Sequence, residues 1–313
     1  MKTYSKEQIT TVTHLDQNAL SAVEAGFAAL GQNNTIMPPI LSMSIPEYNG
    51  EVDVKTAYIK GKDRFAIKIS PGFFDNPKLG LPSLNGLMVL FSSQTGLVDS
   101  VLFDEGYLTE IRTALAGAIA AKHLARPNAK EVAVIGAGRQ AELQVAALKL
   151  IYNITKVHVF AREHDQMKSY RALMAQQYDL AVDIHSSAAS ACANADIVVT
   201  TTPANSPVLH WQDLKPGTHV TAMGSDNSHK HELESSILAN ADFLVVDKRI
   251  QSETLGELNH YSGAFPNTIF ELGDLIANKV TLRTKPEHIT VCDLTGTGVQ
   301  DTAIADYTAN LLA

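Results

Sequence analysis

The sequence predicts an α/β fold: a doubly wound parallel sheet joined to a second, smaller α+β domain. Three observations carry that expectation. The segment Glu131-Val-Ala-Val-Ile-Gly136-Ala-Gly138-Arg-Gln-Ala141 reads as a buried strand, a glycine turn and the start of a helix. From Lys130 onward, strand and helix patterns alternate, the rhythm of βαβ units. Several of those strands, Ile197-Val-Val and Phe243-Leu-Val-Val among them, are apolar throughout, as strands covered on both faces must be. A chain of 313 residues that is 45% hydrophobic and 19% charged has the material for one large or two medium domains.

The first 125 residues mix element types. Glu7 to Leu30 reads as helix, with an Ala-rich face from Ala19 to Ala29. Val52–Ile59, Arg64–Ile69, Gly86–Ser92 and Val98–Phe103 read as strands, punctuated by turns such as Tyr48-Asn-Gly50 and Gln94-Thr-Gly96. A strong Ala-rich helix follows from Leu108 to Leu124, and Arg126-Pro127-Asn128 marks a boundary. Beyond it the expected strands are Val132–Ile135, Val157–Phe160, Asp183–His185, Ile197–Thr202, His219–Met223, Phe243–Val246 and Ile289–Cys292, with helices between most of them. The expected domains are therefore 1–125, joined by the last helix at 301–313, and 126–300. The active site is expected in the cleft between them.

A net charge of −8 argues against nucleic acid or an anionic membrane as partner. An anionic ligand must then be held by local cations. The N-terminus Met1-Lys-Thr-Tyr-Ser-Lys shows no apolar signal region, and no apolar run approaches the roughly 18 residues of a membrane span. The two cysteines, Cys192 and Cys292, are isolated in apolar surroundings, as reduced thiols of a cytoplasmic protein would be.

The glycine segment has GxGxxA spacing. Gly136 makes the tight turn and Gly138 lets the backbone approach a diphosphate. The small residue at 141 packs helix on strand, and the helix N-terminus faces the anion. That is a Rossmann dinucleotide site, with Gly136, Ala137, Gly138, Arg139 and Gln140 as its turn. Thr202, Gly224 and Ser225, at the carboxyl ends of later strands, complete the expected cofactor contacts. Roughly 20 residues after the glycines an acid normally holds the ribose 2′-hydroxyl. Here the strand Val157–Phe160 runs into Ala161-Arg162-Glu163. Arg162 would stack on adenine or pair with a 2′-phosphate, which favours NADPH; Glu163 is the alternative and would serve NADH.

Further segments resemble one family. Leu79-Gly-Leu-Pro-Ser83, Tyr107-Leu-Thr-Glu-Ile-Arg112-Thr-Ala, Ile135-Gly-Ala-Gly-Arg-Gln-Ala141, Pro216-Gly-Thr-His, Met223-Gly-Ser-Asp226 and Gly296-Thr-Gly-Val-Gln-Asp301 look like the ornithine cyclodeaminase/mu-crystallin family, in its order and over nearly the whole chain. The stretch Gly50–Tyr58 with Ser70–Asn76 is similar to a narrower branch, named for ectoine utilisation, that includes iminosuccinate reductases. The resemblance implies a homodimeric NAD(P)-dependent enzyme acting on amino acids and their imines, with 1–125 binding substrate and forming the dimer, and with Gly296 and Thr297 near the nicotinamide end of the cofactor.

Reducing an imino acid takes a cation for the carboxylate, a hydride and a proton. Lys68, between Ile67 and Ile69, suggests a buried cation with a specific partner, unless strand alternation turns it to solvent. It matches the family's active-site lysine. Arg112 is the only charge in Ile111-Arg-Thr-Ala-Leu-Ala-Gly and would clamp a carboxylate, the role the family gives it. Asp226 follows a strand and matches the family's catalytic aspartate, a proton donor to nitrogen; a helix N-cap is its structural alternative. The family's Pro-x-Arg is replaced by Met37-Pro-Pro-Ile40, while Lys55-Thr-Ala-Tyr58 adds a cation nearby. Lys55, Lys68 and Arg112 would together suit a dicarboxylic imine, unless Lys55 is an exposed strand residue. No metal is expected: His229-Lys-His231 lacks a completing ligand set.

The expected function is an NAD(P)H-dependent imine reductase forming an L-amino acid, in its sharpest form iminosuccinate to L-aspartate. Alternatives are an ornithine cyclodeaminase-type lyase, an alanine dehydrogenase and, from another class, an NADPH-dependent binding protein of mu-crystallin type.

Overall fold

A computed structural model describes residues 2–263 and 268–313. In chain order its strands and helices are β1 (Lys2–Ser5), α1 (Lys6–Val12), α2 (Gln17–Gly31), β2 (Thr35–Ile36), β3 (Leu41–Ile45), β4 (Gly50–Ile59), β5 (Arg64–Phe73), β6 (Leu87–Ser92), β7 (Val98–Phe103) and α3 (Tyr107–Leu124). The series continues with β8 (Glu131–Ile135), α4 (Arg139–Leu148), β9 (Lys156–Phe160), α5 (His164–Tyr178), β10 (Ala181–Ile184), α6 (Ala188–Cys192), β11 (Ile197–Thr200), β12 (Asn205–Leu209) and β13 (His219–Ala222). It closes with β14 (His231–Leu233), α7 (Ser235–Asn240), β15 (Phe243–Val246), α8 (Arg249–Leu255), β16 (Ile269–Glu271), α9 (Leu272–Asn278), β17 (Thr290–Asp293) and α10 (Gly298–Leu312). No described helix is long and apolar enough to cross a membrane.

The chain forms two compact units, residues 1–112 with 297–313 and residues 113–296. The division falls inside α3 rather than at Arg126-Pro127, because the second half of that helix packs with the later strands. Ala121 and Ala125 share a core with Val132 and Val157. The Tyr152 hydroxyl donates to Ala121 O (2.8 Å), and Gln144 Nε2 donates to Thr113 O (3.0 Å).

The first unit is built on a seven-stranded sheet in the order β1-β7-β6-β5-β4-β2, with β3 paired to β4. The single helix expected over Glu7–Leu30 is two helices, because Asp16 starts a new one: its carboxylate accepts from Asn18 N (2.9 Å) and Ala19 N (2.8 Å). α10 packs on α2, β4 and β5. A Cβ at Gly298 would lie 2.2 Å from Thr56 O, so only glycine permits that approach. The Thr302 hydroxyl locks the contact by donating to Ala57 O (2.7 Å). Period-2 alternation then divides β4 and β5. Lys55, Ala57, Ala66 and Lys68 are buried, while Val54, Ile67 and Ile69 on the opposite face are only half-buried.

The second unit holds an eight-stranded, fully parallel sheet in the order β10-β9-β8-β11-β13-β17-β15-β16. Both faces are covered. Val132 and Val134 of β8 join one apolar cluster with Met167, Tyr170 and Met174 of α5; Ala133 and Ile135 join another with Ile237 and Leu238 of α7. This is the expected Rossmann-type sheet. Strand order reverses between β8 and β11, which puts the ligand crevice at their carboxyl ends.

Candidate active site

The glycine turn leaves β8 at that reversal. Gly136 has φ +120°, and a Cβ there would stand 2.5 Å from Thr201 Oγ1. Its N–H donates to Phe160 O (2.8 Å), closing the turn. Gly138 is the N-cap of α4 and provides no side-chain cap; a Cβ on it would meet nothing within 4 Å. The first amides of a ten-residue helix thus lie behind an open, side-chain-free approach, the cradle a diphosphate needs. Ala141, in the third position, is fully buried. These residues fit a dinucleotide.

The other expected cofactor contacts sit as follows. Ala137 and Gln140 are half-buried in the turn and first helical residues. Arg139 is directed back along α4, Nη1 lying 2.8 Å from both Glu142 carboxylate oxygens. Arg162 and Glu163 are exposed after β9, and Arg162 forms no ion pair among the described residues. Thr202 and Gly224 follow β11 and β13, half-buried, and Gly296 follows β17, buried. Ser225 donates its hydroxyl to Lys230 O (2.6 Å), which commits it to its own loop. Asp226 is paired with Lys230 and keeps 46% of its side chain exposed.

The cations gather in the first unit. Lys55 and Lys68 are register partners across β4 and β5, 5% and 2% exposed. Arg112, early in α3, is also buried. All three act on Asp301 of α10, which is fully buried. Its Oδ1 lies 2.9 Å from Arg112 Nε and 3.3 Å from Lys68 Nζ. Arg112 Nη1 also donates to Gln300 Oε1 (3.1 Å). Burial, then the charges of Arg112 and Lys55, bring the Lys68 ammonium down to about 7, with Asp301 pulling the other way. Burial works to raise Asp301, but Arg112, Lys68 and Lys55 outweigh it and hold the carboxyl below its ordinary value. Asp104, close enough for Lys68 to act on it, is pushed up by burial.

Among the described residues, the buried polar atoms of this unit without a hydrogen-bond partner include Thr297 Oγ1, Gln300 Nε2, Asp301 Oδ2 and Asp104 Oδ1. Such atoms are rare in folded proteins. Sequence reasoning included Thr297 but overlooked Asp301, Gln300 and Asp104 as site residues. The available signal was that Asp301 is the only charge between Leu294 and Ala305.

His231, one of the two histidines considered for metal, stacks on His260 at 4.2 Å between ring centroids. A different group, His158, Asp183 and His185, brings donor atoms within 4.8 Å of one another. They are spent on close contacts: His158 Nε2 lies 2.9 Å from Glu131 Oε2, His158 Nδ1 lies 3.0 Å from His185 Nε2, and Asp183 pairs with Lys156 at 2.7 Å. Cys192 and Cys292 are free and buried, with burial pushing both thiols up.

The chain as a whole is similar to known proteins. An uncharacterized cyclodeaminase of Sinorhizobium fredii is 50% identical over 317 residues, covering 97% of this chain and 94% of that one. The iminosuccinate reductase of Paracoccus denitrificans is 31% identical over 303 residues, 94% of this chain and 91% of that one. Its crystal structure in complex with NAD+ superposes with a TM-score of 0.90, covering 99% and 96% of the two chains at 29% identity. An archaeal alanine dehydrogenase dimer with bound NAD superposes at 0.91, covering 99% and 95% at 29% identity. The description of the ornithine cyclodeaminase/mu-crystallin family matches residues 2–311. The chain belongs to the ornithine cyclodeaminase/mu-crystallin family.

Proposed function

We propose that this protein is an NAD(P)H-dependent reductase of a small anionic imino acid, with iminosuccinate to L-aspartate as its sharpest form. The observation that carries the reading is the set of three buried cations, Lys55, Lys68 and Arg112, gathered on the single carboxylate Asp301. Burying like charges side by side is costly unless an anion is to be bound. A dicarboxylate offers one carboxylate to Arg112, whose guanidinium suits a two-bond clamp, and a second to the lysine pair.

A nicotinamide held here would supply a hydride to the imine carbon. The protein supplies the rest. Gly136, Ala137, Gly138 and the start of α4 hold the diphosphate, and Thr202, Gly224, Ser225, Gly296 and Thr297 border the remainder. Arg112, Lys55 and Lys68 fix the carboxylates and turn the C=N carbon. Asp226 is assigned the proton to nitrogen. Arg162, exposed and without an ion pair among the described residues, favours a 2′-phosphate and hence NADPH.

The assembly proposed is a cytoplasmic homodimer. Leu41, Val54, Ile69 and Leu87 form one row across four strands, and Ile67, Val89 and Val101 form the next. All are exposed or half-buried, an apolar sheet face suited to a second copy. The dimeric state of the archaeal alanine dehydrogenase supports this.

A cyclodeaminase is the second reading, favoured by the name of the Sinorhizobium relative. It would have to accept a terminal ammonium beside Lys55 and Lys68, which repel it. Iminosuccinate formed in situ from oxaloacetate and ammonia, with NADH and NADPH in separate assays, tests the choice. Ornithine, and pyruvate plus ammonia, serve as controls. Net nicotinamide oxidation with iminosuccinate supports the reductase. Conversion of ornithine without net redox change supports the cyclodeaminase, and dinucleotide binding without turnover supports a binding protein.

A further inference from the structure

Buried carboxylates are costly unless hydrogen bonds compensate them. The second unit holds two that spend their bonds on the loops at the carboxyl ends of the parallel strands. Glu232, in β14, is fully buried. Its Oε1 accepts from Thr202 N (2.6 Å) and Thr202 Oγ1 (2.8 Å). Its Oε2 accepts from Thr200 Oγ1 (2.7 Å) and Gly224 N (2.8 Å). One carboxylate therefore ties the end of β11 to the end of β13. The approach is so close that a Cβ on Gly224 would stand 2.3 Å from Thr202 O and 2.6 Å from Glu232 Oε2.

Asp247, after β15, acts in the same way on the next loop. Its Oδ1 accepts from Thr295 Oγ1 (2.9 Å) and its Oδ2 from Gly296 N (2.7 Å). Glu232 is itself held: its N–H donates to Glu257 Oε1 (2.9 Å), and the Glu257 N–H donates to Asp293 Oδ2 (2.9 Å). The residues pinned by Glu232 and Asp247 (Thr202, Gly224 and Gly296) lie where a parallel sheet binds its ligand. Donors at those positions are open to an anion unless something occupies them. With Glu232 and Asp247 on them, the start of α4 is left as the place for the diphosphate.

We propose that Glu232 is a positioning residue of the dinucleotide site, which sets Thr202 and Gly224 at the separation the bound cofactor requires. It rests on the reading that those two residues border the dinucleotide. Glu232 does not touch the cofactor; it acts through the two loops. Replacing it by Gln keeps the shape but turns an NH2 group toward a backbone N–H, whichever way the amide lies: that of Thr202 or that of Gly224. Neither can accept, so the loops must separate.

The test measures NADH and NADPH dissociation constants by nucleotide fluorescence, and melting of the protein without nucleotide, for wild type, Glu232→Gln and Thr200→Val. The expected result is a roughly ten- to hundred-fold weaker dinucleotide affinity in Glu232→Gln. Thr200→Val, which removes a single hydroxyl from the carboxylate, is expected to weaken it by a smaller factor. If Glu232→Gln lowers the melting temperature while its folded fraction binds as tightly as wild type, Glu232 is only structural and the proposal falls. If Glu232→Gln does not fold, Thr200→Val decides, and unchanged affinity there overturns it. A wild type that binds neither nucleotide is a separate result, which removes the functional reading and this proposal with it.

Discussion

Lys55 and Lys68 face each other directly across β4 and β5, both buried beneath α10. Like charges in that relation destabilise a sheet. Asp301 compensates them in part, and Arg112 competes for the same carboxylate oxygen as Lys68.

Lys55→Met should therefore separate binding from stability. Loss of a charge-assisted bond to the second carboxylate is expected to lower kcat/KM for iminosuccinate about 10- to 100-fold. A monocarboxylic imine should change by less than about threefold, since Arg112 and Lys68 remain. The melting temperature should hold or rise, because a repulsion has gone. Equal losses on the two substrates would show that Lys55 does not read the second carboxylate.

Much of this was legible in the chain. The GxGxxA turn and the all-apolar strands specify a parallel sheet, and the structure has β8, β9, β11, β13, β15 and β17 close to their expected bounds. What escaped has physical reasons. β2 is two residues long, and β14 and β16 are three each, too short for alternation to register. The break between α1 and α2 rests on an N-cap, Asp16, within a stretch whose overall pattern stays helical. In the site, Lys68 could be nominated from its apolar neighbours and Lys55 from a departure from the family pattern, but their common face depends on strand register. Asp301 joins them only because Gly298 lets α10 lie against Thr56, a tertiary fact no local pattern holds.

Asp301→Asn tests that compensation. It removes the carboxylate that both Lys68 and Arg112 contact and leaves buried cations behind, a loss of about 3–5 kcal/mol in cases of this kind. The expected outcome is a large fall in the denaturant midpoint, partly restored by millimolar dicarboxylate. An unchanged midpoint would mean that solvent, not Asp301, balances the cluster.

The Lys68 ammonium titrates near 7 in the folded protein and near 10.5 when unfolded. Between those values the unfolded chain holds a proton that the folded chain has released, so the Lys68 contribution to stability rises with pH across that window. Relative to Lys68→Met, wild type should gain stability from pH 7 to pH 10. An anion bound beside Lys68 raises its pKa, so dicarboxylate binding at pH 8 should take up protons. Calorimetry in two buffers of different ionisation enthalpy measures the uptake, and net release would contradict the assignment.

On the proposed reading, Arg162 contacts the adenine ribose. Arg162→Ser should raise KM for NADPH about 10-fold or more, the scale of one charge-assisted contact, and leave KM for NADH nearly unchanged. Steady-state kinetics with both cofactors would show it. A wild type that prefers NADH would instead point to the neighbouring Glu163 as the ribose ligand.

The row Ile67–Val89–Val101 lies on the sheet face opposite the lysines, so a charge placed there alters assembly without entering the cation cluster. Val89→Glu puts a carboxylate at the centre of that face, and burying it against a second copy would cost more than such a dimer can absorb. Light scattering should show a dimer for wild type and a monomer for Val89→Glu, with far-ultraviolet circular dichroism unchanged. NADPH binding should persist in the monomer, because residues 113–296 contain the glycine cradle with their own core. A Val89→Glu protein that remains dimeric would move the interface to another surface.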